Sequence, residues 1–324
     1  MMPEASPWDE IGVPGSDINV RLVGGGTAAP CYWGRNTSGA CLFVVELTGD
    51  HTAQFRKNVS AVNGIETDLR RDESTGAQRL VLTLEQQVDR DLFEGLCRTL
   101  VSALTRASDS ASSLAVALAH LRRWKAFLAG RGGQHLSADE VRGLFAELTF
   151  LLELLERFPS TTDAVEAWLG PERSHQDFIF GNTAAEIKSL SGAERSTIRI
   201  SSEDQLESLN DALFLRIYRL SALPEASQAE SLNRIVERVQ ARLSDAVAVE
   251  EFDRKLVLHR YAPLPEYDEP RFVVSQTRTL RVADAFPRLV RSMLPAGVTK
   301  VSYEIELEHV APFECEGETI FGND

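Results

Sequence analysis

The sequence predicts an α/β protein: a mixed β-sheet core flanked by helices and preceded by a β-rich N-terminal region. Three observations lead there. Residues 1 to about 84 contain short apolar runs of strand length bounded by Gly, Asp and Ser turns. Residues 137–220 read in order as helix, short helix, strand, strand, strand, helix, strand, which builds a sheet with helices packed on it. Near the middle of that stretch, Gly181-Asn182 separates Asp177-Phe-Ile-Phe from Thr183-Ala-Ala-Glu-Ile-Lys, the two-residue signal of a tight hairpin.

In the N-terminal region, Ile18–Val23 reads as a strand running into Gly24-Gly-Gly26. No GK[ST] follows those glycines and no helix opens there, so they predict a flexible connection and not a phosphate loop. Ala40–Leu47 is apolar apart from Glu46 and predicts a strand covered on both faces. Gly64–Arg70 and Gln78–Leu84 flank the polar turn 72–76 and predict a hairpin. Val88, Leu92, Leu96, Leu100 and Leu104 recur every fourth residue, the stripe of an amphipathic helix. After the polar break 108–113, a second helix carries Leu114, Leu118, Leu121 and Leu128, and Gly130–Gly133 stops it. Arg122, Arg123 and Lys125 near its end suit the helix dipole.

Ser137-Ala-Asp-Glu140 is the capping-box opening of a third helix. Its apolar stripe is Val141, Leu144, Leu148, Leu151, Leu152 and Leu155. At 100° per residue, Glu147 falls between Leu151 and Leu154, away from the polar arc of Arg142, Thr149, Glu153 and Glu156. A carboxylate there either needs a partner or a metal, or sits at the stripe's edge and reaches outward. A short helix with Val165 and Trp168 ends at Gly170-Pro171. After the hairpin, Ser196–Ser202 reads as a strand and Ser202-Glu-Asp-Gln205 as a further helix start, a place where free N–H groups can hold an anion. Leu213–Leu220 is a buried strand. Beyond it the pattern predicts a helix over Leu232–Leu243, strands at Phe272–Thr277 and Val298–Leu307, and a helix around Phe286–Leu294.

The chain has 324 residues, 43% hydrophobic and 25% charged, ordinary for a globular protein. No apolar run has the length of a membrane span, and the N-terminus lacks the basic and apolar regions of a signal peptide. Four scattered cysteines without a CxxC predict a reducing compartment, and the expected location is the cytoplasm. The net charge of −14 argues against a generic nucleic-acid binder. A local basic groove or a basic partner subunit can nevertheless supply phosphate contacts.

The hairpin carries the chemistry. A turn at Gly181-Asn182 sets Phe180 opposite Thr183, Ile179 opposite Ala184, Phe178 opposite Ala185 and Asp177 opposite Glu186. Side chains alternate, so Asp177, Glu186 and Lys188 share one face. Directly opposed carboxylates repel. Lys188 offsets that in part, and a divalent cation offsets it better. Two carboxylates and a lysine so placed suit metal-assisted phosphodiester hydrolysis. The same pattern also occurs on plain surface hairpins with a Glu/Lys pair.

On these residues the chain resembles the PD-(D/E)XK, or restriction-endonuclease-like, superfamily: Asp177, Glu186-Ile-Lys188 and the upstream helical Glu147. More narrowly it resembles the "PD-(D/E)XK motif proteins" found beside defence and restriction-modification genes. That likeness rests on Trp168-Leu-Gly-Pro171, Asp177-Phe-Ile-Phe-Gly181, Glu186-Ile-Lys188, and Ile198-Arg-Ile-Ser-Ser202 leading to Gln205-Leu206. Gln176 stands where the name's proline would be. The resemblance implies a restriction-endonuclease-like core at 111–222, between an N-terminal region at 1–110 and an α/β extension at 223–324. It implies a Mg²⁺-dependent DNA endonuclease, with Mn²⁺ as substitute, in a restriction or anti-phage system. By resemblance Asp177, Glu186 and Lys188 are catalytic; Asp177, Glu186 and Glu147 hold the metal; Glu147, Ser202 and Gln205 support the site. Expected partners are DNA, other subunits of such a system and a second copy of the chain, with no membrane. The alternatives are a non-cleaving DNA-binding or scaffold subunit, and an RNase or repair nuclease.

Overall fold

The computed structural model describes residues 6–322 apart from positions 60, 63, 72–75, 86–88, 106, 130–134, 173, 192–195 and 224. The expected turn at 72–76, Val88, the glycine stop at 130–133 and the loop at 191–195 therefore lie wholly or partly outside the described residues. The chain forms two compact units, residues 1–135 with 260–265, and residues 136–259 with 266–324.

The first unit contains β1 (Ile18–Leu22), β2 (Cys31–Asn36), β3 (Cys41–Leu47), α1 (Thr52–Asn58), β4 (Ile65–Arg71), β5 (Gln78–Leu84), α2 (Arg90–Leu104) and α3 (Ser110–Ala129). Its strands form an antiparallel sheet in the order β1-β2-β3-β5-β4. The apolar run of β3 is buried at every position but Glu46, as a strand covered on both faces should be. The expected i, i+4 stripe of α2 places Leu96, Leu100 and Leu104 in the core, and Phe93 stacks on Trp8 at 5.4 Å.

The second unit holds α4 (Ala138–Arg157), α5 (Thr161–Glu166), β6 (Phe178–Phe180), β7 (Thr183–Ser191), β8 (Thr197–Ile200), β9 (Ala212–Ala222), α6 (Leu232–Arg242), α7 (Ala246–Leu258), β10 (Phe272–Arg281), β11 (Tyr303–Glu306) and β12 (Glu314–Cys315). The sheet runs β12-β10-β9-β7-β6. β7 and β9 are parallel and the other pairs antiparallel, so the sheet is mixed, with helices on it as the α/β pattern requires. α4 begins with both halves of its capping box, between Ser137 and Glu140. The Phe178/Phe180 face of the hairpin meets α4: Phe150 packs edge-on against Phe178 with centroids 4.8 Å apart. On the opposite face Ala184, Leu190, Leu213, Leu215 and Ile217 form a second apolar layer with Ile198, Ile200 and Ile305.

Several expectations are corrected here. β8 is not part of the main sheet; it pairs with β11 in a separate two-stranded ribbon, with Ile198 opposite Ile305. No helix opens at Ser202. Residues 203–206 form a turn, because side chains take the carbonyls that a helix would use. Gln176 Nε2 reaches those of Asp204 (3.0 Å), Gln205 (3.3 Å) and Glu207 (2.8 Å), and Arg288 takes that of Leu206 (2.6 Å). The helix expected around Phe286–Leu294 is only a single 3₁₀ turn, Arg291–Met293; Pro287 lacks the N–H that a helix needs. The last long strand shortens to Tyr303–Glu306, because positive φ at Gly297 (89°) and Lys300 (59°) breaks the extended backbone ahead of it. Among the described residues no helix is long and apolar enough to cross a membrane.

Candidate active site

The hairpin adopts the expected register: Phe178 pairs with Ala185, Ile179 with Ala184 and Phe180 with Thr183. Of the two turn residues only Gly181 takes a positive φ, 53°. Asn182 instead ties the turn to the start of β9, its backbone carbonyl accepting from Ala212 N at 3.3 Å. Asp177 lies one residue ahead of β6, and its side chain replaces the missing ladder bond: Ile187 N donates to Asp177 Oδ2 at 2.7 Å. The Asp177 carbonyl accepts from Leu169 N (2.7 Å) and Gly170 N (3.0 Å), which brings the Trp168–Gly170 segment alongside.

Asp177, Glu186 and Lys188 line one cleft. Lys188 Nζ donates to Glu186 Oε1 at 2.7 Å and to Gln205 Oε1 at 3.2 Å. Gln205 Oε1 also accepts from Ser201 N at 2.8 Å, which fixes the amide. Gln205 thus reaches the cluster from a turn and not from a helix start. Ser202 is not brought in: its hydroxyl bonds within the turn, to Asp204 at 3.3 Å. Glu147 arrives from α4, with its Oε2 bonded to Trp168 Nε1 (2.7 Å) and His259 Nε2 (3.2 Å). A Cβ at Gly170 would stand 2.7 Å from Glu147 Oε2 and 3.1 Å from Asp177 Oδ1, so the bare glycine is what lets these carboxylates approach.

The cluster lines a cleft of about 620 Å³ that also presents Arg142, Ser189 and Arg199. Its electrostatics follow from three carboxylates and one cation. Burial pushes Asp177 well above the usual carboxylate range, and Glu186 and Glu147 add to the rise. Burial raises Glu186 too, against the pull of Lys188. For Lys188 burial acts downward, but Glu186, Asp177 and Glu147 together hold its ammonium above the ordinary lysine value. Glu186 is 1% exposed, and its Oε2 is buried with no hydrogen-bond partner. Such an atom costs stability unless something meets it.

This donor set fits a hard divalent cation. It is carboxylate oxygen throughout, it contains an orphaned buried oxygen, and Gly170 leaves space between two of the carboxylates. Among the described residues, no group of three or more His, Cys, Asp and Glu side chains is already gathered as a metal's coordination set. The sequence reading missed His259 and the latching role of Gln176. His259 lies 112 residues from Glu147, and no spacing rule connects them.

No curated protein and no solved structure matches the chain. A family model described as "Putative PD-(D/E)XK family member, (DUF4420)" matches residues 5–308, nearly the whole length. The chain belongs to that family, and its membership suggests a nuclease.

Proposed function

We propose that this protein is a divalent-metal-dependent DNA endonuclease, using Mg²⁺ or Mn²⁺, that acts in a restriction or anti-phage system in the cytoplasm. The observation that carries the reading is the meeting of Asp177, Glu186 and Lys188 in the lining of one cleft, with Glu147 beside them. Asp177, Glu186 and Glu147 are the residues that would hold the cation. When bound, it supplies Lewis acidity at the scissile phosphate.

The remaining work falls to the chain's own groups. Asp177 is oriented by Ile187 N–H and cannot rotate freely. Lys188 stays charged because three carboxylates surround it, and its ammonium meets the negative charge that grows on the phosphate oxygens. Gln205 fixes where that ammonium points. Arg142 and Arg199 on the cleft wall offer phosphate contacts.

The charge distribution bears on partners. Acidic and basic residues balance in the first unit, so the whole excess behind the net charge of −14 falls on the unit with the site. A catalytic unit so acidic fits a nuclease that grips DNA together with a basic partner subunit. The test is incubation of the chain with supercoiled plasmid and with structured RNA, each with Mg²⁺ and with EDTA. Nicking of plasmid in Mg²⁺ alone supports the reading. Cleavage confined to RNA moves the substrate class. DNA binding without cleavage in any metal favours the non-cleaving scaffold.

A further inference from the structure

Glu147 is held more firmly than a carboxylate at the edge of a helix stripe requires. Trp168 Nε1 at 2.7 Å and His259 Nε2 at 3.2 Å both fall on its Oε2. The two rings stack on each other, with centroids 5.4 Å apart and planes 19° from parallel, so each fixes the other's orientation. Trp168 is anchored in turn. It is fully buried against Phe252, 5.8 Å between centroids, and its carbonyl accepts from the ammonium of Lys255. That ammonium is 1% exposed and also takes the carbonyls of Val165 (2.9 Å) and Glu166 (3.2 Å), so the end of α5 cannot drift. Gly170, two residues on, leaves the room in which Glu147 Oε2 and Asp177 Oδ1 lie within 3.1 Å of one point.

We propose that Trp168, His259 and Gly170 form a clamp that aims the Glu147 carboxylate at the Asp177/Glu186 pair, with Trp168 and His259 as positioning residues for a carboxylate metal ligand. The inference rests on the metal-dependent reading given above. Its physical ground is preorganisation. A free glutamate must give up rotamers when it takes a cation, whereas one held by two ring N–H groups has already done so. Partners of this kind set ligand orientation, and their loss typically costs about 10- to 100-fold in metal affinity.

The test is Mn²⁺ binding by calorimetry on the full chain, beside thermal melts in EDTA. Trp168→Phe keeps the stacked ring and loses the N–H; His259→Ala loses ring and donor; His259→Gln restores a donor; Gly170→Ala pushes a methyl into the carboxylates. The clamp predicts Mn²⁺ affinity about 10- to 100-fold weaker for Trp168→Phe, His259→Ala and Gly170→Ala, and recovery toward wild type for His259→Gln. Wild-type affinity in all four variants overturns the clamp, even if some of them melt lower, because that pattern is packing alone. Should Trp168→Phe fail to fold, the contrast between His259→Ala and His259→Gln decides. A wild-type chain that takes up no Mn²⁺ overturns the metal-dependent reading itself and the clamp with it, an outcome distinct from equal binding by wild type and variants.

Discussion

Lys188→Met removes the cation that the structure pairs with Glu186. Its ammonium is 2.7 Å from Glu186 Oε1, with 15% and 1% of the two side chains exposed. Methionine fills much the same volume, so packing is nearly kept and the charge is what changes. Removing one partner of a buried pair costs about 3–5 kcal/mol, because the other charge stays behind uncompensated. Glu186 is the charge left behind: its buried Oε2 already lacks a partner and its Oε1 loses one. At about 2–4 °C per kcal/mol for a unit of this size, the variant should melt roughly 10 °C below wild type in EDTA. A cation replaces the lost charge. At a hundred times its dissociation constant a ligand of the folded state returns about 2.7 kcal/mol, so Mn²⁺ should restore most of the deficit. Cleavage should not return with it, since loss of one transition-state donor costs about 10²–10³ in rate. The assay is differential scanning fluorimetry with and without Mn²⁺, beside plasmid nicking. A variant that melts with wild type in EDTA refutes the charge argument, and one that cleaves at the wild-type rate makes Lys188 a bystander.

Other perturbations reach different parts of the molecule. Gln176→Leu leaves the carbonyls of Asp204, Gln205 and Glu207 without their shared donor; about 1–3 kcal/mol should be lost and the turn at 203–206 should become the first site of limited proteolysis, while an unchanged digestion pattern would remove the latch. Phe150→Ala opens a cavity between α4 and the hairpin, where Phe150 is fully buried against Phe178 and Phe321; urea unfolding should show a loss of about 3–5 kcal/mol, and a loss under about 1 kcal/mol would contradict the packing. His120 in the first unit has its pKa lowered to about 3 by burial and then by Arg123. Between about 3 and its ordinary 6.5 the unfolded chain binds a proton that the folded chain refuses, so stability falls as pH falls through that window, by about 1.4 kcal/mol per pH unit. His120→Gln should flatten the melting curve between pH 6.5 and 4.5, and equal slopes in both proteins would refute the assignment.

What could be read from the sequence was local. Gly181-Asn182 determined the hairpin register, and that register is the reason to expect Asp177, Glu186 and Lys188 on one face. The capping box at Ser137 and the wheel position of Glu147 were equally local signals. What failed depended on distant partners. Ile198 and Ile200 alternate in a way that suits any half-buried strand, and only β11, about a hundred residues later, decides that β8 lies in the ribbon. The turn at Ser202 looks like a helix start until Gln176 claims its carbonyls. β2, α1 and α7 were overlooked, although α7 carried readable signs: Asp245 caps it, and Ala248, Phe252 and Leu256 repeat every fourth residue in the core. His259 had no such sign, because its meaning comes only from Trp168 and Glu147 in space.

The central claim is that Asp177, Glu186 and Lys188 work as one metal-dependent hydrolytic centre. The most direct measurement compares Mg²⁺-dependent plasmid nicking by wild type and by Glu186→Gln, a variant of nearly equal shape that lacks the carboxylate charge. The account predicts nicking by wild type that EDTA abolishes, and a loss of about 10²-fold or more in Glu186→Gln. Equal, metal-dependent nicking by both proteins would contradict it.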